Sequence, residues 1–598
     1  MCGIAGIWFN EKNENPQIAI KAMTDMIIHR GPDGEGQWVS ENNQLALGHR
    51  RLSIIDLTDG GAQPMHFHEK YTITFNGEIY NYIELRNELI TKGYSFKSDS
   101  DTEVILASYD YWGIDCIAHF DGMFAFALCD KTNNFLFCAR DRFGEKPFYY
   151  SIHEGSLYFA SEMKALWAVG VPKVPNMPMF YNYLANDLVE NPNDQRETFY
   201  TGIYKLKSAH YFIYKGDQAI NQINFWNLEV GNHGDLSFKE ASDKLMGLLE
   251  TSVRRRLRSD VPVGTSLSGG LDSSTIVGLV SHKQAQNHTF SARFPGFSKD
   301  EGKYIDLVSS KFNTTHHNIV VNENELLPEL EKLIFHQEEP FQTGSIFAQY
   351  CVYREARRNN VIVMLDGQGA DEILGGYDKD FKFYLRELIK SSGDSERFIR
   401  QIKENHNYLL NVNSKERMNI FAPKIYRSIS NIIQTVAPKT PNGISLEFHK
   451  ENAPKKSPFH EFGDLKSMLR HELTNQGLEK LLKFADRNSM AHSLEVRLPF
   501  LYHELVEFVF TLKSNLFLND GWSKAILREG VKNLLPNEIV YRKDKIGFEA
   551  PHDKWSKSDK MNDLFINAQE NLIKNNIITQ NYQNRWKIII AAKFLNAR

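Results

Sequence analysis

Residues Pro262–Lys283 read PVGTSLSGG followed by LDSSTIVGLVSHK, a short β-branched run, a glycine turn and then an apolar helix. The same pattern repeats downstream. HTFSARF (288–294) and THHNIVV (315–321) are strand-like, KYIDLVSSKF (303–312) and ELLPELEKLIF (325–335) are helical, and NNVIVMLDGQGADE (359–372) is a strand entering a second glycine turn. Strands that alternate with helices form a parallel sheet covered on both faces. Ligands bind such sheets beyond the carboxyl ends of the strands, so both glycine turns belong on one functional rim.

Outward from this core the text changes. The N-terminal segments GIAGIWF, LALGHRRLSIIDL, YTITFNG, GMFAFALCD, NFLFCARD, FYYSI and LYFASE are short, rich in aromatic or β-branched residues, and bounded by Gly, Asn or Asp. They read as strands with few helices between them, near Ala19–Ile28, Tyr80–Lys92 and Thr102–Trp112, the last capped by Asp101. This predicts an α+β unit of stacked antiparallel sheets with helices outside, an αββα sandwich. The expected organisation is a first domain over 2–170, a connector with peripheral hairpins over 171–236, and an α/β parallel-sheet domain over 237–550. A helical insertion at about 377–480 and a polar helical tail at 551–598 complete it. RNSMAHSLEVRLPF (487–500) is structural support or part of a second substrate's pocket.

The chain has 598 residues, too many for one core. The 74 acidic and 70 basic residues nearly balance, which excludes the basic stripe of a nucleic-acid binder. The arginine run Arg254, Arg255, Arg256 and Arg258 reads as a solvated helix face. Five cysteines make no disulfide framework and fit a reduced, cytoplasmic setting. Cys116, Cys129, Cys138 and Cys351 lie in apolar contexts and read as core thiols. The N-terminus has no signal-peptide pattern, and no apolar run is long enough to cross a bilayer.

Cys2 follows Met1, and its small size permits removal of that methionine. A thiol and a free α-amine would then share one residue, and the amine titrates near neutrality, so it can act as the thiol's base. RGPDG (30–34) suits a flap over a small polar substrate. Arg51 in HRRLSI offers a planar fork to a carboxylate. NGEIYN (76–81) brings an amide, Asn76, and a permissive N–H, Gly77, to a strand end, which are oxyanion donors. Asp101 can accept from an ammonium. A nucleophile, oxyanion donors, a carboxylate clamp and an ammonium clamp together describe glutamine.

In the second half, SGGLDSS (268–274) opens a helix after a strand, so its N–H groups, hydroxyls and helix dipole make an anion nest. The Walker A pattern is absent. Asp272 in such a loop makes sense if it holds Mg²⁺, and Asp371 of DGQGADEILGG (366–376) is its partner across the rim. Arg542, Lys543 and Lys545 in YRKDKIGF form a cationic cluster suited to departing pyrophosphate.

These motifs resemble, over nearly the full length, the glutamine-hydrolysing asparagine synthetases. The first half is similar to class II (N-terminal nucleophile) glutamine amidotransferases, and the second to the ATP-pyrophosphatase-loop synthetases. The resemblance implies that Cys2 is the glutaminase nucleophile. It implies that Asn76 and Gly77 hold the oxyanion, and that Arg51, Asn76, Glu78 and Asp101 bind glutamine. It places ATP on Leu267, Ser268, Gly269, Gly270, Asp272, Ser273, Ser274 and Gly367, with Mg²⁺ on Asp272 and Asp371 and adenylation assisted by Lys545. Ammonia passes through an internal tunnel to an acyl-adenylate. The implied partners are glutamine and a small carboxylate, either aspartate or a sugar acid, with a homodimer plausible for the family. Two departures stand out. Gln368 lies between the glycines where a glutamate is usual, at the acceptor site, and Tyr502 stands where PFLD is the commoner text.

Overall fold

The computed structural model describes residues 2–216, 219–231, 236–284, 286–391, 395–405, 418, 440–455, 462–544 and 547–596. Strands β1 (Gly3–Trp8), β2 (Gly34–Val39), β3 (Leu45–Arg51), β4 (Met65–Phe67), β5 (Tyr71–Ile79), β6 (Gly122–Asp130), β7 (Phe135–Arg140), β8 (Tyr149–His153) and β9 (Ser156–Ala160) build the first half. The short β10 (Tyr204–Lys205), β11 (His210–Tyr214) and β12 (Ile223–Asn224) come from the connector and extend the sheet edges. Two six-stranded sheets result, ordered β10-β8-β9-β1-β3-β2 and β12-β11-β7-β6-β5-β4, antiparallel at every paired strand.

Their inner faces pack Ile4, Trp8, Leu45 and Leu47 against Ala125, Ala127, Leu136 and Cys138. Helices cover both outer faces, with Ile20 and Met23 packed outside β1 and Leu85, Leu89 and Val104 outside β5–β7. A strand covered on both sides is buried at every residue, as β1 is, and so reads as an unbroken apolar run. The αββα sandwich is the arrangement expected from the sequence.

β13 (Val263–Ser266), β14 (His288–Arg293), β15 (Thr315–Val320), β16 (Val363–Leu365) and β17 (Glu495–Arg497) form one parallel sheet, ordered β15-β14-β13-β16-β17. β13 lies beside β16, so the two glycine turns that follow them are neighbours on the carboxyl rim. β17 comes from the RNSMAHSLEVRLPF segment, which therefore supplies a fifth strand. The helical insertion expected over 377–480 falls partly outside the described residues. Within them it includes helices Asp378–Lys390, Ser395–Asn405 and Leu465–Thr474.

Two expectations fail. The tail is not a polar layer: helix Arg585–Asn596 buries Trp586, Ile588, Ile589 and Ile590, and Phe594 stacks on Phe180 of the connector. Its charged residues are few and terminal, so the local polarity of 551–584 hid an apolar helix. The arginine run is not a solvated face either. Only Arg254 is exposed, while Arg255 and Arg256 reach Asp121 and Arg258 pairs with Glu84, all in the first domain. That helix is an interface element, which its own periodicity does not reveal.

Candidate active sites

Cys2 stands at the start of β1, buried. Its backbone nitrogen donates to Asn76 Oδ1 at 3.0 Å, and Arg30 Nε donates to its carbonyl at 3.1 Å. Asn76 lies on β5, in the opposite sheet. With Oδ1 engaged, Asn76 Nδ2 is left buried without a hydrogen-bond partner. An unmet buried donor beside a thiol is suited to receive a developing oxyanion. Gly77 has φ 150°, and a Cβ there would lie 2.0 Å from the Met123 carbonyl, so the close approach of β5 to β6 requires glycine.

Burial raises the Cys2 thiol pKa, so the thiolate needs a base. The imidazole of His49 bonds the Phe75 carbonyl at 3.1 Å and is driven down to about 3 by burial, which leaves it neutral. Arg51 is fixed by the carbonyls of Thr58 and Asp56. Asp101 and Glu78 are both raised by burial, Asp101 to about 6. Glu78 Oε1 lies 3.6 Å from Arg497 of the parallel sheet. Asp101 does not cap its helix: Ser100 accepts from Thr102 N at 3.1 Å, and the Asp101 carboxyl accepts from Ile79 N at 2.9 Å, two residues after Gly77.

RGPDG is not an open flap at its first residue. Arg30 is completely buried and donates to Glu162 at 2.8 Å and to both oxygens of Asp486 at 2.8 and 2.9 Å. Glu162 also meets Lys164 and Arg487, and Arg487 pairs with Glu338 at 2.6 Å. Burial opposes the charge on Asp486, but Arg30, helped by Lys146 and Arg487, more than offsets this and holds the carboxyl below its ordinary range. Arg30 thus joins the carbonyl of Cys2 to helix Leu478–Met490 of the second domain. No local pattern marks this network, because Arg30, Glu162, Glu338 and Asp486 each lie more than a hundred residues from the next.

On the parallel-sheet rim, Ser268 and Ser273 hydroxyls meet at 3.0 Å, and Gly269 takes φ 76°. A Cβ at Gly367 would come within 2.8 Å of Ser273 N, so the two glycine turns touch. Asp272 and Asp371 converge on one ammonium, Lys524 Nζ, at 2.5 and 2.6 Å. Lys524 was missed by the sequence reading: in GWSKAILRE it has no motif around it, and its positive φ of 53° is a feature of the fold. Asp272 Oδ1 and Ser274 Oγ remain buried without partners.

These turns open on a cavity of about 670 Å³ lined also by Gln368, Arg528, Arg542 and Lys543. Arg542 braces the loop instead of facing a leaving group freely: it donates to the Gly269 carbonyl at 3.1 Å and pairs with Glu301 at 2.7 Å. Lys545 lies outside the described residues. Gln368 is on the cavity wall, with Oε1 buried and unpartnered. Tyr502 is elsewhere, its hydroxyl 3.3 Å from Arg255 in the domain interface.

Among the described residues no group of three or more His, Cys, Asp and Glu is placed to hold a metal. Two carboxylates with one orphaned oxygen, already gathered on a cation, suit a divalent ion whose other ligands are phosphate oxygens and water. The other four cysteines are buried and unpaired, with Cys129 and Cys351 raised to about 12 by burial, as inert core thiols are. Among the described residues no helix is long and apolar enough to cross a membrane.

Comparison with known proteins matches a glutamine amidotransferase domain to residues 1–226 and asparagine synthase to residues 244–584. The asparagine synthetase (glutamine-hydrolyzing) 3 of Bacillus subtilis (strain 168) is 33% identical over 580 residues, covering 93% of this chain and 88% of that protein. The asparagine synthetase (glutamine-hydrolyzing) 1 of the same organism is 32% identical, covering 94% and 88%. Amidase chry2 of Gibberella zeae is 28% identical, covering 90% and 85%.

Proposed function

The chain belongs to the family of glutamine-hydrolysing asparagine synthetases, and on that premise we propose that it transfers the amide nitrogen of glutamine to aspartate. The products are asparagine, glutamate, AMP and pyrophosphate. Residues 2–170 carry glutamine hydrolysis and 237–550 the amidation. The observation that carries this reading is the pair of unmet buried donor and acceptor atoms, Asn76 Nδ2 beside Cys2 and Asp272 Oδ1 beside Lys524, one in each half of a chain joined by buried ion pairs.

Removal of Met1, which lies outside the described residues, frees the Cys2 amine to take the thiol proton. The thiolate attacks the glutamine amide carbon, and Asn76 Nδ2 and the Gly77 N–H receive the developing oxyanion. Arg51 and Asp101 hold the substrate's carboxylate and ammonium, and Glu78 lines the same pocket. Ammonia departs, and water cleaves the thioester to give glutamate.

In the other half, a carboxylate oxygen of the acceptor attacks the α-phosphorus of ATP and pyrophosphate leaves. The Ser268–Ser274 turn, with Leu267 and Gly367, cradles the phosphates. Mg²⁺ on Asp272 and Asp371 would neutralise the polyphosphate charge. Lys524 adds a fixed positive charge at the same point, and Lys545 is assigned to the adenylation step. Ammonia then displaces AMP, and enclosure keeps water from the adenylate.

A second reading is favoured by Gln368. An amide can orient ammonia but cannot take its proton, so this acceptor site differs where family members that make asparagine usually have a glutamate. On that reading the acceptor is a uronic acid or another small carboxylate. The test incubates the protein with MgATP and glutamine, adding L-aspartate in one arm and a nucleotide-linked uronic acid in the other. AMP and asparagine in the first arm are expected. AMP only in the second selects the alternative, and AMP in neither arm rejects both acceptors.

A further inference from the structure

Helix Leu478–Met490 carries five charged residues, and the fold itself engages four of them. Glu479 pairs with Arg140 at 2.8 Å, Lys483 with Glu339 at 2.8 Å, Asp486 with Arg30 at 2.8 Å and Arg487 with Glu338 at 2.6 Å. Lys480 is the fifth. It is half-buried on the wall of the cavity of about 670 Å³, together with Leu481 and Phe484. Among the described residues it has no hydrogen bond and no ion pair. Helical spacing explains the division: 480, 481 and 484 fall on one face, and 479, 483, 486 and 487 on the neighbouring one.

The other cations of the cavity have partners. Lys524 holds Asp272 and Asp371, Arg542 holds Glu301 and Asp544, and Lys299 pairs with Glu549. Arg528 donates to the Ser523 carbonyl at 2.7 Å, and Lys543 to the Glu404 carbonyl at 3.1 Å. All but Lys299 come from 524–543, the segment that meets the Ser268–Ser274 turn at Asp272 and Gly269.

Lys480 comes from a different wall. Its helix packs on Ser345–Arg358, where Asn488 Nδ2 donates to the Ile346 carbonyl at 3.0 Å and to Gln349 Oε1 at 2.9 Å, and both of those residues line the same cavity. The preceding helix, Leu465–Thr474, packs on Ala370–Leu374, the helix that Gln368 introduces. An ammonium on a cavity wall without a counter-charge is a site for an anion, because pairing offsets the cost of its partial burial. Amidation uses one carboxylate of the acceptor, and aspartate brings a second.

We infer that Lys480 binds the α-carboxylate of aspartate while the side-chain carboxylate attacks ATP, and that it thereby selects a dicarboxylate acceptor. This rests on the reading above, that aspartate is the acceptor. The contact is an ion pair, and no bond forms or breaks there.

The test follows pyrophosphate release at saturating MgATP and glutamine. Lys480→Met should raise the KM for aspartate about 20-fold and leave kcat within about twofold, as for a contact made equally in ground and transition states. Lys480→Arg keeps the charge and should stay within about threefold of wild type. β-Alanine is aspartate without its α-carboxylate. As an inhibitor against aspartate it should bind wild type and Lys480→Met equally, within about twofold. An unchanged KM for ATP shows that the fold and the phosphate side are intact. An unchanged KM for aspartate in Lys480→Met, an equal rise in the KM for ATP, or an equal weakening of β-alanine overturns the role of Lys480 and leaves aspartate as the acceptor. A wild-type protein that forms no AMP with aspartate overturns the underlying reading and this assignment with it.

Discussion

The Cys2 site and the Ser268–Ser274 cavity solve different problems with different architectures. Around Cys2 the groups are buried, and strands that can occupy only one register fix them: Asn76 sits opposite Ala125, and Gly77 opposite Phe124. The second site is a cavity of about 670 Å³ at a sheet rim, lined by turns and by residues as distant as Lys524 and Arg542. A site for one small substrate can be built into a sandwich's backbone. A site for a nucleotide and a second substrate needs loops, whose residues can vary without disturbing strand pairing. The departure at Gln368 falls in the variable kind of site.

The sharpest way to break this division is Cys2→Ala. Glutamine-driven AMP formation should fall at least about 10³-fold, as for loss of a nucleophile, while ammonium-driven formation stays within about twofold. Loss of both activities would show that the sites are not separable. Asp371→Asn should do the reverse, lowering AMP formation about 10²-fold with either nitrogen source and leaving glutamate release intact, since about 3 kcal/mol of charge stabilisation goes with it.

Arg30→Met tests the junction. It leaves Asp486 and Glu162 buried beside one cation fewer, and the cost should be about 3–5 kcal/mol in denaturant unfolding. The linkage has a definite sign. Asp486 is depressed in the fold, so its contribution is present above the ordinary carboxylate pKa and is lost as pH falls through the lower folded value.

The smallest effect concerns Asp101. Its carboxyl titrates at about 6 in the fold, so it is neutral below that pH and ionised above it. The KM for glutamine should rise about fivefold between pH 6 and pH 5 as the ionised fraction of that carboxyl falls. A flat KM over that range would remove Asp101 from glutamine binding.

Much of this was legible in the chain. Strand–turn–helix alternation from Pro262 set the parallel sheet, because a buried parallel strand needs an apolar run and its crossover needs a helix. The glycine turns marked the rim, because their backbone conformations exclude most other residues. The Asp101 cap was misplaced by one residue because Ser and Asp compete for the same role at a helix start.

What the sequence alone determined was therefore local: element types and the two glycine loops, each set by steric and hydrogen-bonding demands within a few residues. Only the tertiary structure decided that Lys524 bridges Asp272 and Asp371 and that Arg30 fastens Cys2 to Asp486. Those contacts join positions far apart in the chain. They exist because Coulomb attraction and desolvation act through space, and no periodicity in a sequence records the distance between two charges.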